Sequence, residues 1–164
     1  MNTASAESEH KDEGGKKSSQ LVPFAPGFLT EPLYPLEQVL LRGCQCLSCG
    51  ITLFGIRYAC ENCCSRELKD ITFSRRGKIY SYTRANFPPP PPYEGQTDPF
   101  VPYTIAWVDL PEGVRLISTL VDCNFDSVKI GLDVELVIVR GWTDAEGNGV
   151  ISYAFKQIEA QNNR

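Results

Sequence analysis

The stretch Cys46-Leu47-Ser48-Cys49-Gly50-Ile51-Thr52-Leu53-Phe54-Gly55-Ile56-Arg57-Tyr58-Ala59-Cys60-Glu61-Asn62-Cys63 holds two CxxC pairs separated by the length of one tight antiparallel ribbon. Each CxxC knuckle turns its two sulfurs toward one point, and a second knuckle completes a tetrahedron of thiolates with Zn–S distances of about 2.3 Å. Four thiolates close the coordination sphere. A zinc ion held by Cys46, Cys49, Cys60 and Cys63 therefore has no position left for water or substrate, and its role is structural. Such binding contributes folding free energy, on the order of 10 kcal/mol for zinc-finger peptides at neutral pH. Gly50, just behind the first knuckle, supplies the backbone freedom for a positive φ. The same sulfur set accepts iron, as in rubredoxin-like redox carriers, whose isolated protein is red rather than colourless. Cys44, Cys64 and Cys123 are left over. The first two flank the knuckles closely enough to compete as ligands, and all three read as bystanders or buried residues rather than nucleophiles.

Downstream of the ribbon the chain changes character. Residues 68–73, 78–87, 103–110, 114–121, 134–141 and 150–158 are rich in β-branched and aromatic side chains, with alternation in several. Turn signals separate them: Ser74-Arg75-Arg76-Gly77, Leu110-Pro111-Glu112-Gly113, Ile130-Gly131 and the stretch from Asp144 to Gly149. About five short strands behind a ribbon fit a Greek-key barrel of the oligonucleotide/oligosaccharide-binding (OB) type better than an immunoglobulin sandwich, which needs more. The fold class is all-β: a zinc ribbon preceded by a short helix and followed by a small OB-fold barrel.

Upstream, residues 1–20 offer no apolar periodicity and read as a disordered tail. Residues 21–34 are an extended, proline-punctuated arm that lies either across its own domain or on a partner. Residues 35–42 present Leu36, Val39 and Leu40 at helical spacing behind Pro35, with Gly43 as the stop. The expected domains are thus tail 1–20, arm 21–34, helix and ribbon 35–66, and barrel 67–160. The polyproline run Pro88 to Pro92 cannot donate ladder hydrogen bonds and must leave the sheet. With Tyr93 to Pro102 it forms a long connection of the kind that contacts partners.

Composition narrows the function. The chain has 164 residues, 42% of them hydrophobic, enough for a core. A formal net charge of -4 argues against a general nucleic-acid binder, which needs a basic face to displace counterions. Seven cysteines and no secretory leader predict a reducing, cytoplasmic setting. No apolar run reaches the ~18 residues of a membrane span. Most tellingly, His10 in the tail is the only histidine, so no Cys/His or Ser/His pair exists inside the fold to activate a nucleophile. No phosphate-cradling or dinucleotide glycine motif occurs either. The acidic residues Asp109, Glu112, Asp122, Asp126 and Asp133 fall mostly at strand ends and read as solvated. The one local exception to the acidic balance is Arg57 in the ribbon with Arg75, Arg76 and Lys78 around a turn and Arg84 on the strand that follows, which together predict a small basic patch between ribbon and barrel suited to phosphates.

The order of parts resembles a family of acyl-CoA-associated proteins with an N-terminal rubredoxin-like zinc ribbon and a C-terminal OB-fold barrel. The resemblance runs from about Leu36 to Ile158. It rests on Cys46, Cys49, Gly50, Phe54, Arg57, Cys60 and Cys63 in the ribbon, where Gly55 and Ile56 stand in place of the family's two prolines. In the barrel it rests on Gly77-Lys78-Ile79-Tyr80-Ser81-Tyr82-Thr83, on Pro102-Tyr103 through Leu110-Pro111-Glu112-Gly113-Val114-Arg115-Leu116, and on Ile130-Gly131-Leu132-Asp133-Val134-Glu135. The proline-rich loop and extended N-terminal segment look most like those of thiolase small subunits from anaerobic toluene degradation. The resemblance implies a subunit with no active site of its own, joined to a thiolase-fold or, alternatively, a hydratase catalytic subunit in a hetero-oligomer. There it would help to hold a CoA thioester, with Arg57, Arg75, Arg76, Lys78 and Arg84 as CoA contacts. A rival reading is a single-strand nucleic-acid module stacking bases on Tyr80, Tyr82, Phe87 and Tyr93.

Overall fold

A computed structural model describes residues 20–88, 90 and 99–158. Residues 1–19 of the tail, Tyr93 and most of the polyproline connection lie outside them. Among the described residues nine strands form two sheets: β1 (Leu21–Pro23), β2 (Arg42–Cys46), β3 (Thr52–Phe54), β4 (Leu68–Thr72), β5 (Arg76–Ala85), β6 (Tyr103–Asp109), β7 (Arg115–Val121), β8 (Asp133–Thr143) and β9 (Gly149–Gln157). No helix among the described residues is long and apolar enough to cross a membrane.

The barrel closes as β5-β6-β7-β9-β8 and back to β5, with every contact antiparallel except the parallel β7–β9 pairing. This is the OB topology. Alternation drives it: Thr104, Ala106 and Val108 on β6 and Leu116, Ser118 and Leu120 on β7 point inward, while their neighbours face out. The inner residues of all five barrel strands meet around Ile79, Val108, Leu136 and Phe155.

The seam between β7 and β9 is short, pairing only Leu120 with Phe155 and Val121 with Lys156. Beyond it the same edge of β9 is taken by the arm, because β1 runs parallel to Gly149–Ile151 and the Phe24 N–H donates to the Ile151 carbonyl at 2.8 Å. The arm is therefore a strap across its own barrel.

The smaller sheet has the order β3-β2-β4 and carries the ribbon. Leu68–Thr72, which the sequence places with the barrel, pairs with β2 instead. The helix expected over 35–42 is a single 3-10 turn, Leu36–Gln38, followed by extended chain. Val39, Leu41 and Gly43 are buried while Leu40 and Arg42 are only partly so, a period of two rather than 3.6. Gly43 does not terminate a helix. It sits inside β2 under the Phe73 ring, whose Cζ would lie 2.5 Å from an added Cβ.

Ribbon and barrel share one apolar body. Leu41, just before β2, and Phe73, just after β4, belong to the barrel's core cluster. Phe54 from β3 meets Phe28 at 4.8 Å, Tyr153 at 5.6 Å and Phe73 at 6.1 Å between ring centroids. The β6–β7 turn adds a polar tie, in which Glu112 Oε1 accepts from the Ser74 N–H at 2.7 Å and from its hydroxyl at 2.6 Å.

Candidate metal centre

The four sequence-predicted ligands come together. The Sγ atoms of Cys46, Cys49, Cys60 and Cys63 all lie within 4.8 Å of one another, with Cys46–Cys63 and Cys49–Cys60 each at 3.6 Å. A tetrahedron with metal–sulfur bonds of about 2.3 Å has edges of about 3.8 Å, so the sulfur cage matches a zinc-sized ion. Two of the sulfurs belong to buried residues, Cys46 and Cys60, and two to exposed ones, Cys49 and Cys63.

The knuckles are built alike. In the first, the Gly50 N–H donates to the Cys46 carbonyl and the Cys46 N–H to the Ile51 carbonyl, both at 2.9 Å. In the second, the Cys64 N–H donates to the Cys60 carbonyl at 2.9 Å and the Cys60 N–H to the Ser65 carbonyl at 2.8 Å. Gly50 has φ 77° and Cys64 has φ 60°, so Cys64 occupies the position that glycine takes in the first knuckle. Its thiol is exposed and is outside the four-sulfur group. The signal for this role was the equal offset of Gly50 and Cys64 behind their CxxC pairs. Cys44 is buried, with its Sγ 3.7 Å from the Gly55 carbonyl, and fills the ribbon's small core with Leu53.

Backbone dipoles prepare the sulfurs for a cation. The Cys49 N–H is the main influence lowering Cys46, and the Ile51 N–H leads those that bring Cys49 down to about 6. At Cys63 the Ser65 N–H also acts downward, but neighbouring thiols and desolvation outweigh it and push that thiol up to about 12. Four sulfurs this close cannot all shed their protons unless a cation compensates them. The donor set thus fits a divalent ion of zinc or iron type. When bound, that ion supplies folding free energy and no reactive position.

The family model for the ChsH2 C-terminal OB-fold domain matches residues 70–139. A DUF35 domain-containing scaffold protein of Methanothermobacter thermautotrophicus is 41% identical over 120 residues, covering 71% of this chain and 84% of the relative. The chain belongs to the DUF35 family. The benzoylsuccinyl-CoA thiolase subunit BbsA of Thauera aromatica is 30% identical over 143 residues, 87% of the DUF35 chain and 93% of that subunit. Among solved structures, the Ltp2-ChsH2(DUF35) aldolase aligns with a TM-score of 0.55 at 29% identity, over 72% of this chain and 84% of that one.

Of the five cations of the expected basic patch, Arg84 is set apart from the others along β5 of the DUF35 chain, and three of the rest have polar partners of their own. Arg57 pairs with Glu61 at 2.9 Å and lies 5.5 Å over the Phe28 ring. Arg75 is spent on structure, donating to the carbonyls of Glu37, Val39 and Leu136 at 2.8–3.1 Å and so fastening the 3-10 turn to β8. Lys78 pairs with Asp133 at 2.7 Å. Arg84 stands six residues further along β5, about 20 Å away at strand rise, with its guanidinium 5.7 Å over Phe125. Arg76 is exposed at the head of β5.

Proposed function

We propose that this chain is a non-catalytic subunit of an acyl-CoA thiolase complex, and that it assists CoA-thioester binding and gates access during thiolytic cleavage of a β-keto acyl-CoA. The observation that carries this reading is the likeness, over 87% of the chain, to a benzoylsuccinyl-CoA thiolase subunit. It is supported by a metal cage whose four thiolates leave no open coordination position. Benzoylsuccinyl-CoA, and with it anaerobic toluene degradation, is the corresponding substrate proposal.

In this reading the partner is a thiolase-fold subunit that supplies the nucleophilic thiol and the acid–base groups, and the present chain supplies shape and charge. Of the cations assigned to CoA, Arg76 and Arg84 are exposed and stand in no ion pair among the described residues, which suits them to phosphate oxygens. Arg57 and Lys78 would exchange their present carboxylate partners for the ligand. The test is to reconstitute the thiolase-fold subunit with and without this chain and follow thiolysis of benzoylsuccinyl-CoA. Activity or CoA affinity should fall without it, and unchanged thiolysis would remove the proposal.

A further inference from the structure

We infer that the outer face of β6 and β7, centred on Trp107 and Ile117, is the surface on which the catalytic subunit docks. The inference rests on the accessory-subunit reading above and names the site through which it acts. Three cross-strand rows define the face. In the middle row Trp107 lies opposite Ile117 on one side and Ser81 on the other. The row beyond it sets Ile105 opposite Thr119, and the row before it sets Asp109 between Lys78 and Arg115. Trp107 is 44% exposed and Ile117 51%, a large apolar pair that the described residues leave uncovered.

A β-bulge shapes the third element of the face. The register between β5 and β6 shifts between Ile79 and Ser81, so that Ser81, opposite Trp107, joins the outward-facing Tyr80 on this face. Its ring lies 3.2 Å from the Arg115 guanidinium carbon, and Arg115 forks onto both carboxylate oxygens of Asp109. Tyr, Trp and Arg held rigid in this way are the residue types that dominate binding energy at protein interfaces, since little side-chain entropy remains to be lost. Beside them an apolar cavity of about 440 Å³, lined by Val101, Ile105 and Ile117, offers a receptacle for a partner's anchoring side chain.

Charge selects the occupant. Arg115 is neutralised by Asp109, so the centre of the face presents aromatic and aliphatic surface with no net charge, and Lys78 with its partner Asp133 lies at its margin. The Arg115 contact holds the Asp109 carboxyl below its usual range, which keeps the pair ionised and closed at neutral pH. Such a surface complements an uncharged apolar protein patch and gives nothing to a phosphate backbone, although the second and third strands of an OB barrel are where oligonucleotides bind in other proteins.

The test uses the native complex isolated through a tag on the full chain, with the thiolase-fold subunit identified in it by mass spectrometry. Hydroxyl-radical footprinting should show Trp107 reactive in the free chain and protected in the complex, while Tyr58, 98% exposed on the ribbon, serves as the internal reference. Ile117→Asp should weaken assembly at least about 30-fold with an unchanged thermal midpoint, and Ile117→Leu should retain it. A complex in which Trp107 stays reactive would overturn the docking face and leave the accessory reading standing. If no thiolase-fold subunit co-isolates, both fall. Protection of Trp107 in the free chain as its concentration rises would make the occupant a second copy and also overturn the inference.

Discussion

The two lobes of this molecule are stabilised in different ways. The barrel buries a continuous apolar interior from five strands, whereas the ribbon's own buried cluster is Cys44, Cys46, Leu53 and Cys60, three of them sulfurs and two of those ligands. A lobe so small cannot offset its ordering entropy by burial alone. Its folding is therefore tied to the ion, while the barrel's is tied to packing. The largest effect should follow from that contrast. Chelation, or Cys46→Ser, removes a contribution on the order of 10 kcal/mol and should expose the amides of β2–β4 to hydrogen exchange while β5–β9 remain protected. Retained protection in the metal-free ribbon would break the contrast.

The comparison sharpens at the seam, where Phe54 and Gly43 belong to both lobes. Phe54→Ala removes the ring that touches Phe28, Phe73 and Tyr153 and should cost about 3 kcal/mol, read as a lower urea midpoint for the whole protein. Gly43→Ala forces a methyl group against the Phe73 ring and the Leu53 carbonyl and should cost a comparable amount. If either variant shifted only the ribbon's exchange, the lobes would be energetically separate.

A smaller effect belongs to the barrel alone. Tyr153 bridges the gap in the β7–β9 seam, donating its hydroxyl to the Ile117 carbonyl at 3.0 Å, and burial pushes it up to about 12. The unfolded chain's tyrosine ionises near 10, so from there upward the unfolded state sheds a proton that the folded state keeps. Stability is intact below about pH 10 and should fall by roughly 2–3 kcal/mol as pH rises toward 12. Tyr153→Phe should flatten that decline relative to the parent while losing about 1 kcal/mol at neutral pH for the missing hydrogen bond. Parallel alkaline curves for the two proteins would refute the assignment.

How much of this was legible in the sequence differs between the lobes for the same reason. The CxxC spacing is local, so ligands and ribbon could be read directly. The barrel strands announced themselves by alternation at Tyr103–Asp109 and Arg115–Val121. What stayed hidden depended on partners distant in sequence. Leu68–Thr72 carries a strand pattern but nothing that says it joins β2 rather than the barrel. Val39, Leu41 and Gly43 alternate inward, yet glycine has no side chain to count as apolar, so Leu36, Val39 and Leu40 behind Pro35 imitated a helix. The cations of β5 looked clustered because sequence proximity hides the length of an extended strand, which carries Arg84 about 20 Å from Lys78.

The smallest effect probes the ribbon's internal symmetry. Gly50 and Cys64 hold the same place in the two knuckles, each donating its N–H to the carbonyl of the first cysteine of its pair, and each with positive φ. Glycine adopts that conformation freely, whereas a Cβ-bearing residue there costs about 1–2 kcal/mol. Part of the gain from removing the Cβ is offset by the greater freedom of glycine in the unfolded chain. Cys64→Gly should therefore stabilise the zinc-loaded protein by about 0.5–1 kcal/mol, and Gly50→Cys, where open space surrounds the added Cβ, should destabilise it by a similar amount through backbone strain alone. Thermal midpoints give the sign, and metal titration with cobalt reads the ligand count. Four thiolates should bind the ion before and after Cys64→Gly. A weakened cobalt–sulfur absorption in that variant would mean that Cys64 is a ligand and that the two knuckles are not equivalent.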